Sequence, residues 1–88
     1  MAKTFSFKLV TQTGVAAECD AESVVLPGSL GSLGVLAGHE PWVVLLRSGP
    51  LAWKQAGGGW QNANITGGVA DISGTRTVVL ADSTGKGG

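Results

Sequence analysis

Glycine punctuates this chain so closely that no segment keeps an apolar 3.6-residue period for the roughly 10–12 residues an amphipathic helix needs. Fifteen of the 88 residues are glycine, without the Gly-x-y period of a collagen. Between the glycines the segments are short, and where a period exists it is two. Phe5, Phe7 and Leu9 alternate with Ser6, Lys8 and Val10, which predicts a strand with its aromatic side inward. The expected class is therefore all-β, with eight to ten short strands in a sandwich or a flattened barrel.

Further segments read as strands at 15–21, 23–26, 33–36, 42–46, 51–55, 60–66, 69–72 and 75–81. The run 42–46 is apolar throughout and reads as a buried strand. Turn signals separate these segments: Pro27-Gly28, Ser48-Gly49-Pro50, Gly67-Gly68 and Ser73-Gly74. Gly57-Gly58-Gly59 reads as the turn of a hairpin. Residues 28–34 repeat glycine at every third position and read as a loop. The domain is expected over 1–83, with 84–88 as a flexible glycine-rich tail.

Six basic and six acidic residues leave a net charge of zero, so nothing steers the chain toward nucleic acid or an anionic membrane surface. Charged residues are 14% and hydrophobic ones 43%, which argues against disorder and for apolar surface that meets a partner. Cys19 stands alone, so no internal disulfide forms. Met1-Ala2-Lys3 precedes no apolar h-region, so no signal peptide is expected. No run approaches the roughly 20 apolar residues of a spanning helix.

The chemistry of catalysis is missing from the residue list. One histidine and one cysteine, twenty positions apart, make no metal site, and His39-Glu40 lacks a second histidine four residues on. No serine sits in Gly-x-Ser-x-Gly, and His39 has no marked nucleophile for a partner, so it reads as a surface or interface histidine beside a turn. Gly28, Gly31 and Gly34 match neither a dinucleotide fold nor a P-loop, and no helix follows them. Asn64-Ile65-Thr66 matches a glycosylation sequon, relevant only to a secreted chain. No catalytic residue, metal, cofactor or small-molecule ligand is expected. Of the three tryptophans, Trp42, Trp53 and Trp60, two are expected in the core.

Four landmarks then follow in order. Gly28-Ser29-Leu30-Gly31-Ser32-Leu33-Gly34-Val35 leads into Gly38-His39-Glu40-Pro41, then Gly67-Gly68-Val69, then Thr77-Val78-Val79-Leu80-Ala81-Asp82. The ordered set resembles the N-terminal β-sandwich domain of the epsilon subunits of F-type ATP synthases, called delta in mitochondria. Any one motif is weak; the ordered set spans nearly the whole chain. The resemblance implies a flattened antiparallel β-sandwich of about ten short strands in the central stalk, attached to the gamma subunit and resting on the c-ring. It has no catalytic residue, and it helps turn proton-driven rotation into torque on gamma. It places Ser29, Leu30, Gly31, Ser32 and His39 toward the c-ring, and the location on the cytoplasmic face of a bacterial plasma membrane or its organellar equivalent. Acidic residues are common in this loop of the family. Here Leu30 and Ser32 stand instead, so hydrogen bonds and apolar contact are the expected means. Pro41, Trp42 and Val43 are candidates for the gamma-facing side, with plain core the open alternative for Trp42. Most members continue into a C-terminal helical hairpin that inhibits rotation or binds ATP in some. A chain ending at Gly88 is expected to be a short form without that regulation.

Two rivals belong to other classes. A lipoyl- or biotinyl-type carrier would modify a lysine at a hairpin tip, and Lys54 is the nearest candidate. A small carbohydrate-binding sandwich would use Trp53 and Trp60 as its platform.

Overall fold

A computed structural model describes residues 3–85 of the chain. Seven strands account for its regular structure: β1 (Phe5–Thr11), β2 (Gly14–Gly28), β3 (Gly31–Leu36), β4 (Trp42–Gln55), β5 (Trp60–Ile72), β6 (Arg76–Ala81) and β7 (Thr84–Gly85). The all-β class stands, and the count of about ten strands is corrected to seven. Three pairs of segments read as separate strands are single long strands. β2 runs through Glu22, β4 through Ser48-Gly49-Pro50, and β5 through Gly67-Gly68. Each long strand bends and changes partners along its length. β2 pairs with β1 through its first half, then with β3 and β4 through its second. The breaks seen in sequence are bends within strands, and the register shifts after Ala21 and Val25 mark two of them.

The sheet closes on itself. β1 pairs with β6, β6 with β5, β5 with β4, β4 with β2, and β2 again with β1. The expected all-antiparallel arrangement is corrected at one seam, because β1 and β6 run parallel. β3 adds to β2 as a hairpin arm, and β7 pairs Thr84 and Gly85 with Ile65 and Asn64. Of the tail read over 84–88, these two residues are therefore in a strand, and 86–88 lie outside the described residues.

The interior follows the period of two. Phe5, Phe7 and Leu9 point inward from β1 as expected, joined by Val24 and Leu26 of β2, Leu51 and Trp53 of β4, Ile65 and Ile72 of β5, and Val79 of β6. Phe7 and Trp53 stack with ring centroids 4.9 Å apart, tying β1 to β4 across the core. Gly68 shows why a bend needs glycine. Its φ is +143°, and a Cβ there would collide with the Leu80 carbonyl of the neighbouring strand.

Candidate functional site

The stretch 28–34 is not the loop its glycines suggested but the turn and the start of the returning arm of a hairpin. Gly28 pairs with Gly31, Pro27 with Ser32 and Leu26 with Leu33, which leaves Ser29 and Leu30 as a two-residue turn. The chain folds this tightly because Gly28 has no Cβ: one would stand 2.6 Å from the Gly31 carbonyl oxygen. Leu30 at the tip is fully exposed, and the Ser29 amide donates to the Leu45 carbonyl at 2.9 Å, pinning the tip against β4.

The run 42–46 is corrected as well. It is a strand, but its first four residues are not buried. Trp42, Val43 and Leu45 are each more than half exposed, Val44 is half-buried against the core, and Leu46 is buried in it. Trp53 is the one buried tryptophan, against two expected, while Trp42 and Trp60 face solvent. Val43 and Leu45 face outward, where no described layer covers them, whereas Trp42 shares the inward face of its partner Ile72 but stands at the first position of the strand, beyond the packed core.

A groove of about 390 Å³ opens between the hairpin and this strand, lined by residues 28–33 and 42–45. None of these ten residues carries an ionisable side chain. Ser29, Leu30, Gly31 and Ser32 are thus brought against Trp42 and Val43. His39 and Pro41 lie in an adjoining open hollow that shares Trp42 with the groove. The His39 ring stacks on Trp42 with centroids 6.2 Å apart, and its Nδ1 donates to the Glu40 carbonyl at 2.8 Å. The segment is pinned at both flanks: the His39 amide donates to Leu36 and the Gly38 amide to Gly74. All eight residues singled out from sequence therefore sit on one contiguous surface. Leu33, Val44 and Leu45 also line the groove and were not singled out from sequence, because a uniformly apolar run gives no sign of which members stay outside.

Other candidate chemistry does not assemble. Lys54 lies within β4 with its Nζ 3.3 Å from Glu22 Oε1, and Glu22 Oε2 also accepts from the Gly57 amide at 3.4 Å. Trp53 is buried on Phe7, while Trp60 pairs with Lys54 on the opposite face of the sheet, so the two tryptophans share no platform. Among the described residues no three His, Cys, Asp or Glu side chains converge on a metal position. Burial, and then the neighbouring Asp20 carboxylate, push the Cys19 thiol above its ordinary pKa, the opposite of what a reactive thiolate needs.

The described residues thus form a small closed β-sheet with an uncharged groove at one corner. Over residues 4–87 the sequence matches the family described as ATP synthase, Delta/Epsilon chain, beta-sandwich domain, and the chain belongs to that family. It is 43% identical over 79 residues to the ATP synthase epsilon chain of Rhodopseudomonas palustris (strain BisB5), covering 90% of this chain and 58% of that one. The epsilon chain of Nitrobacter winogradskyi is 42% identical over the same shares. The chain thus spans less than two thirds of the length of the curated relatives it matches. Among solved structures, a chain of the Euglena gracilis mitochondrial ATP synthase OSCP/F1/c-ring assembly shares the fold with a TM-score of 0.86 at 24% identity, over 93% of this chain and 52% of that one. A chain of the Tetrahymena thermophila mitochondrial ATP synthase central stalk and c-ring gives 0.78 at 15% identity, over 96% and 67%.

Proposed function

We propose that the chain is a non-catalytic rotor subunit of an F-type ATP synthase, linking the gamma subunit to the c-ring at the foot of the central stalk. The observation that carries this reading is the family match over nearly the whole described chain. The exposed apolar corner built by the hairpin and the first half of β4 agrees with it. The tip residues Ser29, Leu30, Gly31 and Ser32, with His39, face the c-ring, and Pro41, Trp42 and Val43 face gamma. The protein sits peripherally on the cytoplasmic face of a bacterial plasma membrane, held there by its partners. No described helix is long and apolar enough to cross a bilayer.

The mechanism is mechanical. A ring turning under proton flow pushes sideways on the hairpin tip. The load passes through the β2–β3 backbone pairs into the ring of strands. Closure lowers the compliance of that ring: β1 is bonded on both sides, so strands slide only if hydrogen bonds break. A close-packed interior then carries the strain to the gamma-facing side.

The test is affinity capture of the tagged chain from detergent-solubilised membranes. Gamma and c subunits are expected in the eluate, and Leu30→Asp is expected to lower c-ring recovery while the circular dichroism spectrum stays unchanged. Recovery of no ATP synthase subunit would overturn the reading.

A further inference from the structure

β3 is the margin of the sheet: it pairs with β2 on one side, and among the described residues no strand pairs with its other side. The turn sets which groups face that open side. Gly28 and Gly31 flank the two-residue turn and so exchange hydrogen bonds, as do Leu26 with Leu33 and Val24 with Val35. The amides and carbonyls of Ser32, Gly34 and Leu36 therefore point away from β2. Among the described residues, only the Leu36 carbonyl has a further backbone partner, the His39 amide at 3.2 Å.

Open strand edges are ordinarily guarded by charge, proline, a bulge or a covering segment. β2 before Ala21 pairs on one side only, and it carries Glu18 and Asp20. The first half of β4 is overhung by the hairpin tip, through the bond from the Ser29 amide to Leu45. β7 covers β5 at Asn64 and Ile65. β3 has no such guard. It holds no charge and no proline, its register with β2 is unbroken, and no ionisable side chain lies between Glu22 and His39.

The edge also matches itself. Laid antiparallel on a second copy about Gly34, it sets Gly34 opposite Gly34, Leu33 opposite Val35 and Ser32 opposite Leu36. The outward groups of Ser32, Gly34 and Leu36 then meet as hydrogen-bonding pairs. Leu36 is 63% exposed and would stand diagonal to the second copy's Gly34. A Cβ at Gly34 meets nothing within 4 Å, so that side chain has room.

We propose that the free chain pairs with a second copy of itself through the open edge of β3, as a symmetric antiparallel dimer with its two-fold axis at Gly34. Each copy offers one such edge, so pairing closes at two and does not run on into a fibre. Ser32 belongs both to this edge and to the proposed c-ring contact, so a paired copy seats on the ring only after the pair parts. That consequence rests on the rotor reading; the dimer itself does not. A six-residue edge buries far less than a standard interface, so a Kd on the order of 0.1 mM is expected.

The test is sedimentation equilibrium of the purified chain from about 10 μM to about 1 mM, a range that brackets this affinity. The mass is expected to rise from one copy toward two. Gly34→Lys and Gly34→Asp each set like charges opposite one another across the axis and are expected to weaken the dimer about 5-fold. An equimolar mixture of the two variants is expected to regain it, because lysine then faces aspartate. A chain that stays single throughout, variants that pair as well as the unaltered chain, or a mixture no better than its parts overturns the proposal. Where a variant fails to fold by circular dichroism, amide exchange of the unaltered chain decides. Protection of the Ser32, Gly34 and Leu36 amides is expected to grow with concentration, while Leu33 and Val35, already bonded to β2, stay as they are. Absence of that alternation overturns the pairing, and none of these outcomes touches the capture experiment that tests the rotor reading.

Discussion

The two halves of β4 are both rich in large apolar side chains and end in opposite environments. In the second half, Leu51 and Trp53 are buried, and the alternating Lys54 is tied to Glu22. In the first half, Trp42, Val43 and Leu45 stand more than half exposed. Apolar character makes a residue eligible for burial; topology decides which eligible residues are covered. The closed ring folds β1 over the second half, where Phe7 stacks on Trp53, and leaves Val43 and Leu45 bare on the outer side of the first half and Trp42 bare at the strand's inward-facing start. The surplus apolar surface is what a domain retains when part of its covering is another subunit.

Paired substitutions test that contrast most strongly. Leu51→Ala is expected to lower the free energy of unfolding by about 2–5 kcal/mol, and Leu45→Ala by less than about 0.5 kcal/mol, read by urea denaturation. Equal losses would mean that the halves are packed alike. Gly68→Ala comes next, at about 1–3 kcal/mol for the left-handed backbone, with the Leu80 carbonyl contact adding to it. A neutral result there would show that β5 does not need its bend.

Two smaller effects probe the interior itself. Thr77 is fully buried, and its Oγ1 finds no hydrogen-bond partner among the described residues. Thr77→Val keeps the shape and removes the orphaned hydroxyl, so a gain of about 1 kcal/mol is expected in the same denaturation assay. Cys19 gives the smallest change and one with a pH sign. Burial and Asp20 raise its thiol pKa, so the fold favours the protonated form. That contribution is full below the unfolded thiol pKa of about 8.5 and is lost as pH rises through the folded value. Iodoacetamide labelling is therefore expected to turn on at higher pH in the native protein than in urea, and coincident midpoints would contradict it.

Legibility in the sequence followed the physics of neighbours. Phe5, Phe7 and Leu9 were readable because alternation within one strand reports the direction of the core, and Gly57-Gly58-Gly59 because a turn is local. The continuity of β4 through Ser48-Gly49-Pro50 was not, since a bend and a break use the same residues. Nor was the exposure of Trp42 and Leu45, which is set by strands distant in sequence. The hairpin at 28–31 hid behind its glycines for the same reason, as a two-residue turn and a loose loop both select them. The candidate contacts were named from an ordered set of landmarks, and only the pairing register revealed that they adjoin one another.

Trp42 and Trp60 supply a built-in control for the central claim. They are 56% and 52% exposed, and tryptic cleavage after Arg47 and Lys54 places them on separate peptides. Hydroxyl-radical footprinting of the purified chain, and of the chain assembled in the ATP synthase, measures both at once. Oxidation is predicted to be similar at the two tryptophans in the free chain and to fall several-fold at Trp42 alone on assembly. Equal oxidation of Trp42 and Trp60 in the assembled complex would contradict the account.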